Sequence, residues 1–160
     1  MMPDPADRPS TIPWPPILFV AALLASWALG RREGWPLPWP GVDDSPARVI
    51  GIAFGVAGLL LAAWAIVTIV RAGTTVRPDA QASVLVTHGP YRRWRNPMYL
   101  SEVLMMLGLA EVTHNIWFAL LAPAFMLAVT WLAILPEERH LEARFGQAYR
   151  DYKERSRRWI

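Results

Sequence analysis

The sequence predicts an all-α fold: an integral membrane bundle of about four transmembrane helices with a C-terminal amphipathic cytoplasmic helix. Three observations carry this expectation. The 160 residues are 54% hydrophobic and only 18% charged, an unusual balance for a soluble domain. The apolar residues fall into four runs, about Ile17 to Gly30, Val49 to Val70, Met98 to Ala110 and Ile116 to Leu135. The basic residues are then divided unevenly between the two sides that four spans define. A soluble helical bundle is the alternative, but no loop carries enough chain to cover such apolar helices. By length the chain is a single domain, residues 1–160.

Residues 1–16 are proline-rich and polar, a lead-in with Trp14 as an interfacial anchor. The first span is placed at about residues 14–30. Its flank MMPDPADRPSTIPW sets a single arginine against two aspartates, and no Ala-x-Ala-type site follows the apolar run. It therefore reads as a retained helix and not as a cleavable signal peptide. Residues 31–47 (RREGWPLPWPGVDDSPA) cannot be helical through their prolines and form an outer loop, with Trp35 and Trp39 at headgroup level. The second span, about 49–70, carries Gly51, Gly55 and Gly58. That spacing permits close helix approach in lipid, or simply reflects glycine frequency in membrane helices.

A spanning helix needs roughly 20 apolar residues, which the second and fourth runs supply. The third span, about 98–112, is shorter and contains Glu102. An ionisable group within a span is by default a functional candidate, here a substrate contact, though Glu102 lies about one turn from Pro97 and could snorkel. A turn around Thr113-His114-Asn115 makes spans three and four a tight antiparallel hairpin. Pro123 should kink the fourth span, about 116–135. Beyond Pro136, Leu141, Phe145, Tyr149 and Tyr152 recur at three and four residues, one apolar stripe on a charged helix. That helix lies along the interface or folds over the cytoplasmic mouth.

With four spans, one side holds Arg8, Arg71, Arg77, Arg92, Arg93, Arg95 and the basic residues from Arg139 to Arg158. The other side holds only Arg31, Arg32 and Arg48. The positive-inside rule makes both termini cytoplasmic. Cysteine is absent, which excludes a disulfide framework, a thiolate metal site and a cysteine nucleophile. No metal, haem or nucleic-acid constellation stands out, and topology accounts for the basic residues.

The hairpin has a chemical consequence. The long connection 72–97 ends where span three begins, and Glu137-Glu138 stand where span four ends. A short outer turn makes those ends neighbours, so LVTHGPYRRWRNPMY (Leu85 to Tyr99) and the two carboxylates should form two walls of one site.

These residues carry a resemblance. GTTVRP, LVTHGPYRRWRNPMY and PEERHLEARFGQAYRDY, together about Gly73 to the C-terminus, resemble the isoprenylcysteine carboxyl methyltransferase and phospholipid methyltransferase superfamily. The compound Gly-Pro-Tyr-Arg-x-x-Arg-Asn-Pro-x-Tyr with a downstream Glu-Glu is specific; any one piece alone is weak. The resemblance implies a bacterial integral membrane methyltransferase with an S-adenosylmethionine pocket formed by segments 83–99 and 136–155, closed by the C-terminal helix. By the resemblance, Val84, Leu85 and Val86 offer backbone contacts, and Gly89 and Pro90 shape a tight turn. Tyr91 and Tyr99 would wall the adenine or the sulfonium, and Glu137 or Glu138 would hold the α-ammonium or the ribose. Asn96 occupies a position often taken by histidine in eukaryotic members, and Pro97 opens span three where a missing N–H costs nothing.

Each residue also has a plainer reading. Glu137 and Glu138 in a first helical turn suit the helix dipole. Arg92 and Arg93 read as topogenic residues and lipid-phosphate contacts, whereas Arg95 reads as structural or as a ligand for a carboxylate. His88, His114 and His140 read as surface residues. One departure from the family matters: eukaryotic carboxyl methyltransferases carry an arginine for the prenylcysteine carboxylate in the turn before the Glu pair, where this chain has Ile134 in the apolar run LAIL. The motif thus speaks for the methyl donor and is silent on the acceptor.

The expected function is S-adenosylmethionine-dependent methyl transfer to a lipid amine, carboxylate or similar lipophilic nucleophile at the cytoplasmic face of the bacterial inner membrane. Two other classes stand beside it: a reductase-like membrane module using a nicotinamide cofactor, and a non-catalytic membrane interaction protein. Length argues against the first, and the intact motifs argue against the second.

Overall fold

The computed structural model describes residues 14–32, 45–73 and 84–160. The lead-in before Trp14, Trp35 and Trp39 of the outer loop, and most of the GTTVRP stretch lie outside them. Six α-helices follow in order among the described residues: α1 Trp14–Arg32, α2 Ser45–Arg71, α3 Pro97–Thr113, α4 Ile116–Val129, α5 Leu135–Phe145 and α6 Gln147–Arg155. A 3₁₀ turn, Gly89–Arg92, precedes α3, and a π-helical turn, Thr130–Ile134, joins α4 to α5. The all-α membrane bundle expected from the sequence is what the chain forms.

Among the described residues three helices are long and apolar enough to cross a membrane: Trp14–Arg32, Pro46–Arg71, and the continuous rod Ile116–Phe145 that contains α4 and α5. Their apolar side chains point outward, with Leu60 67% exposed, Leu127 63% and Trp131 68%. Such exposure is costly in water and favourable against acyl chains. At 17 residues α3 is shorter, because Pro97 starts it and His114, in the left-handed region at φ 51°, ends it. Packed against both α2 and α4, it buries Leu100, Val103, Met106 and Ala110. It is the centre of the bundle, so its two carboxylates, Glu102 and Glu111, sit in protein surroundings.

Small residues allow that central position. A Cβ added to Gly55 would stand 3.2 Å from the Cα of Gly108, and one added to Gly58 would stand 2.8 Å from the carbonyl oxygen of Ser101. The glycine spacing of α2 therefore serves close backbone approach to α3, where dispersion contacts replace a hydrophobic driving force. On the opposite side α1 packs on α4. The Asn115 amide donates to the Ser26 carbonyl at 2.9 Å, while its oxygen accepts from the Trp117 N–H at 3.0 Å and so caps α4. Phe19 and Phe125 meet with ring centroids 5.8 Å apart, beside a core of Met106, Val129 and Ile134.

The α3–α4 hairpin turns at His114-Asn115, as the spacing predicts. α4 continues through Pro123; the irregularity in the rod lies further on, at the π-helical turn. The charged tail differs from a single amphipathic helix. Gly146 adopts φ 54°, a conformation glycine takes without a Cβ penalty, and the chain bends there into α6. The bend turns Tyr149 and Tyr152 inward, where both are buried, instead of laying one stripe along the interface.

Candidate functional site

The segment leading to α3 is a scaffolded turn. Val84 is 48% exposed, and Leu85 and Val86 are partly covered. At Gly89, φ is +61° and a Cβ would stand 2.7 Å from the Thr68 hydroxyl, so only glycine lets the turn seat on the end of α2. Pro90 and Tyr91 are buried beneath it, and the Pro90 carbonyl accepts from the N–H groups of Arg93 (3.2 Å) and Trp94 (3.1 Å). Pro97 then opens α3 without needing a donor. The Asn96 side chain does not cap that helix. Its amide donates to the Arg158 carbonyl at 3.1 Å.

The two adjacent glutamates do different work. The Glu137 carboxylate lies within interaction range of the Tyr99 hydroxyl. Tyr99 also lies close enough to Glu102 and Tyr91 to feel their charge, so two tyrosines and two carboxylates gather where α3 begins and α5 begins. Within this group Glu102 Oε2 is buried without a hydrogen-bond partner. Glu138 faces elsewhere. One of its oxygens accepts from Arg95 Nε at 3.2 Å and from Arg158 Nε at 2.9 Å, and the other accepts from Arg158 at 2.7 Å. Arg95 is 10% exposed and Glu138 7%, so this is a buried, charge-assisted network.

That network closes a clasp. Arg95 also donates to the carbonyls of Lys153 (3.0 Å) and Ser156. Its backbone N–H reaches the Arg157 carbonyl at 2.7 Å, and the Arg157 N–H reaches the Arg93 carbonyl at 2.8 Å. Trp94 and Arg157 thereby form an isolated parallel bridge. The Tyr152 hydroxyl donates to the Tyr91 carbonyl at 2.7 Å. Burial, outweighing the nearby Arg95 charge and a bond with Ser156, pushes the Tyr152 phenol up to about 12. The Tyr91 phenol is also raised, first by burial and then by the Glu137 charge. Both phenols are thus held neutral.

The residues singled out in the sequence are brought to one end of the bundle, as the hairpin argument predicts: the Gly89 turn, Tyr91, Tyr99 and Glu137 on one side, with Arg95, Asn96 and Glu138 in the clasp. Arg158 and Ser156, the clasp's other half, escaped the sequence reading. Nothing marks Arg158 among the tail arginines, although the Tyr149/Tyr152 spacing signalled a face to bury. Among the described residues no group of three or more His, Asp or Glu is placed to hold a metal ion.

The chain is similar in sequence to known proteins. The nickel-cobalt-cadmium resistance protein NccN of Alcaligenes xylosoxydans xylosoxydans is 35% identical over 138 residues, 86% of this chain and 58% of its own length. The chain therefore spans little more than half of that relative. An uncharacterized protein of Haemophilus influenzae is 38% identical over 63 residues, 39% of this chain and all of its own length. No solved structure matches the chain significantly. Residues 46–148, from the start of α2 through the turn, the hairpin and both glutamates into α6, match the phospholipid methyltransferase family, and the chain belongs to that family of membrane methyltransferases.

Proposed function

We propose that this chain is an S-adenosylmethionine-dependent methyltransferase acting on a lipophilic nucleophile (a lipid amine, a carboxylate or a similar group) presented within the membrane. The observation that carries the reading is the meeting of Tyr99, Glu137 and Glu102 beside the Gly89–Tyr91 turn at one end of the bundle. The donor set fits the cofactor, because carboxylates and phenol faces suit a sulfonium and an ammonium, and Glu102 retains a buried oxygen without a partner. When bound, S-adenosylmethionine supplies an activated methyl group.

The chain's own residues then have separable tasks. Glu137 holds the ammonium or the ribose, with Tyr99 fixing its carboxylate. Tyr91 and Tyr99 wall the ligand, and the backbone of Val84, Leu85 and Val86 offers it hydrogen bonds. Gly89 and Pro90 set that backbone, while Asn96 and Pro97 start α3 where Tyr99 must stand. Glu102 orients the acceptor from the α3 side. Arg95 and Glu138 act at one remove, keeping the tail closed so that water is excluded and the reactants stay aligned. The excess of basic residues at this end supports a cytoplasmic face with both termini inside, in a bacterial inner membrane.

The test is calorimetric titration of the purified chain with S-adenosylhomocysteine, followed by incubation with methyl-labelled cofactor and membrane lipid extract. Saturable binding that is lost in Glu137→Gln, and a labelled lipid product, are expected; no binding by folded protein refutes the assignment.

A further inference from the structure

The clasp places four arginines around a cleft. Arg92 and Arg93 at the end of the turn face Arg155 and Arg157 from the tail across a cavity of about 530 Å³, floored by Gly89. A second hollow of about 370 Å³, lined by Thr87 and Tyr152, shares Arg92 and Arg155 with the first. Among the described residues no carboxylate lines either cavity. Among the described residues none of the four arginines joins an ion pair; those recorded involve Arg95, Arg150, Lys153 and Arg158.

The arrangement is built and not merely crowded. The backbone bonds between the 93–95 and 157 positions bring the two arginine pairs together, against their mutual repulsion. Arg155 Nε is steered by the Asp151 carbonyl at 3.0 Å, Arg157 by the Ile160 carbonyl at 3.3 Å, and Arg93 lies over the Trp94 ring at 5.7 Å. Each guanidinium keeps further N–H donors for a ligand. Planar guanidinium forks match the oxygens of a phosphate in pairs. The turn sits on Thr68, one turn from the end of α2, so the cleft opens at the level of the lipid headgroups.

We propose that the Arg92/Arg93/Arg155/Arg157 cleft is a binding site for a phosphate-bearing anion, supplied by an anionic lipid headgroup or by free phosphate. The site shares the Gly89 turn with the proposed cofactor site but is lined by neither Tyr99 nor Glu137, and it does not depend on the methyl-transfer reading. Ligand held there bridges the turn and the tail, and so reinforces the clasp.

The experiment measures binding of dioctanoyl phosphatidate, dioctanoyl phosphatidylcholine and inorganic phosphate to the purified full chain in neutral detergent, by thermophoresis. Phosphatidate should bind saturably and at least about tenfold more tightly than phosphatidylcholine, because its phosphomonoester carries more negative charge and no choline cation for the arginines to repel. The double variant Arg92→Gln/Arg155→Gln should lose at least about tenfold in phosphatidate affinity, whereas Arg139→Gln should retain it. Competition by inorganic phosphate names free phosphate as a source, and lack of competition names the lipid headgroup; either result sustains the site. Equal affinity for phosphatidate and phosphatidylcholine, or unchanged phosphatidate binding in the folded double variant, overturns it. If the double variant does not fold, the single variants Arg92→Gln and Arg155→Gln, both at exposed positions, are judged by the same criterion.

Discussion

The hydroxyl of Tyr152 donates to the backbone carbonyl of Tyr91 at 2.7 Å across 61 residues of chain. This bond ties the last helix to the turn that precedes α3. Both residues are buried, so the bond is shielded from water and competes with little else. The covering of the site thus depends on a phenol that stays neutral.

Removing that hydroxyl in Tyr152→Phe should cost about 1 kcal/mol of stability at neutral pH, the usual net value of such a bond. Burial raises the phenol from 10.0 to about 12 in the folded chain. A raised value means the contribution is fully present below pH 10 and is lost as pH rises from 10 to about 12. Alkaline unfolding followed by tyrosinate absorbance should therefore show the wild-type advantage over Tyr152→Phe shrinking across that window. A constant advantage would contradict the assignment.

Breaking the Arg95–Glu138–Arg158 network should have unequal effects. Glu138→Gln leaves Arg95 buried without its counter-charge and should destabilise by about 3 kcal/mol. Arg158 is 36% exposed, and Arg158→Gln leaves Glu138 still paired with Arg95, so about 1 kcal/mol is expected. Thermal unfolding in detergent ranks the two variants, and equal losses would show that Arg95 alone does not hold Glu138.

Glu137 and Tyr99 should reverse that pattern. Glu137→Gln and Tyr99→Phe should each weaken S-adenosylhomocysteine binding by about tenfold or more, the scale of one charge-assisted hydrogen bond. Their melting temperatures should fall less than that of Glu138→Gln. Titration calorimetry beside thermal melts separates the roles, and normal affinity in both variants would remove Glu137 from the site.

Packing between α2 and α3 should tolerate no added volume at the glycine contact. A Cβ at Gly108 would overlap the backbone of Gly55, so Gly108→Ala should destabilise by about 1–3 kcal/mol through overpacking. Gly73→Ala, with nothing within 4 Å of the added Cβ but φ +69°, should cost about 1 kcal/mol, through backbone strain alone. Denaturation midpoints of the two variants, with Gly73→Ala the milder, check the packing.

Much of this was legible without coordinates. The long apolar runs announce membrane-crossing helices because roughly 20 such residues match the bilayer core. The few residues between spans three and four force a hairpin, and the hairpin forces Tyr99 and the glutamate pair to one end. The tail was harder to read. Its three- and four-residue stripe fits one straight helix, and nothing local says that Gly146 takes φ 54° and folds Tyr149 and Tyr152 inward. The clasp was invisible for a related reason: Arg95 and Ser156 are 61 residues apart, and no local pattern links positions that distant.

By itself the sequence determined which segments are apolar enough to cross a membrane, which ends of them are neighbours, and which family motif stands at those ends. Only the tertiary structure decided what each motif residue touches. Glu137 and Glu138 are consecutive and chemically identical, but successive residues on an α-helix point about 100° apart. One therefore turns to Tyr99 and the other to Arg95 and Arg158. That division needs the rotation of α5 about its own axis, which is set by packing against α3 and the tail and not by the order of the residues.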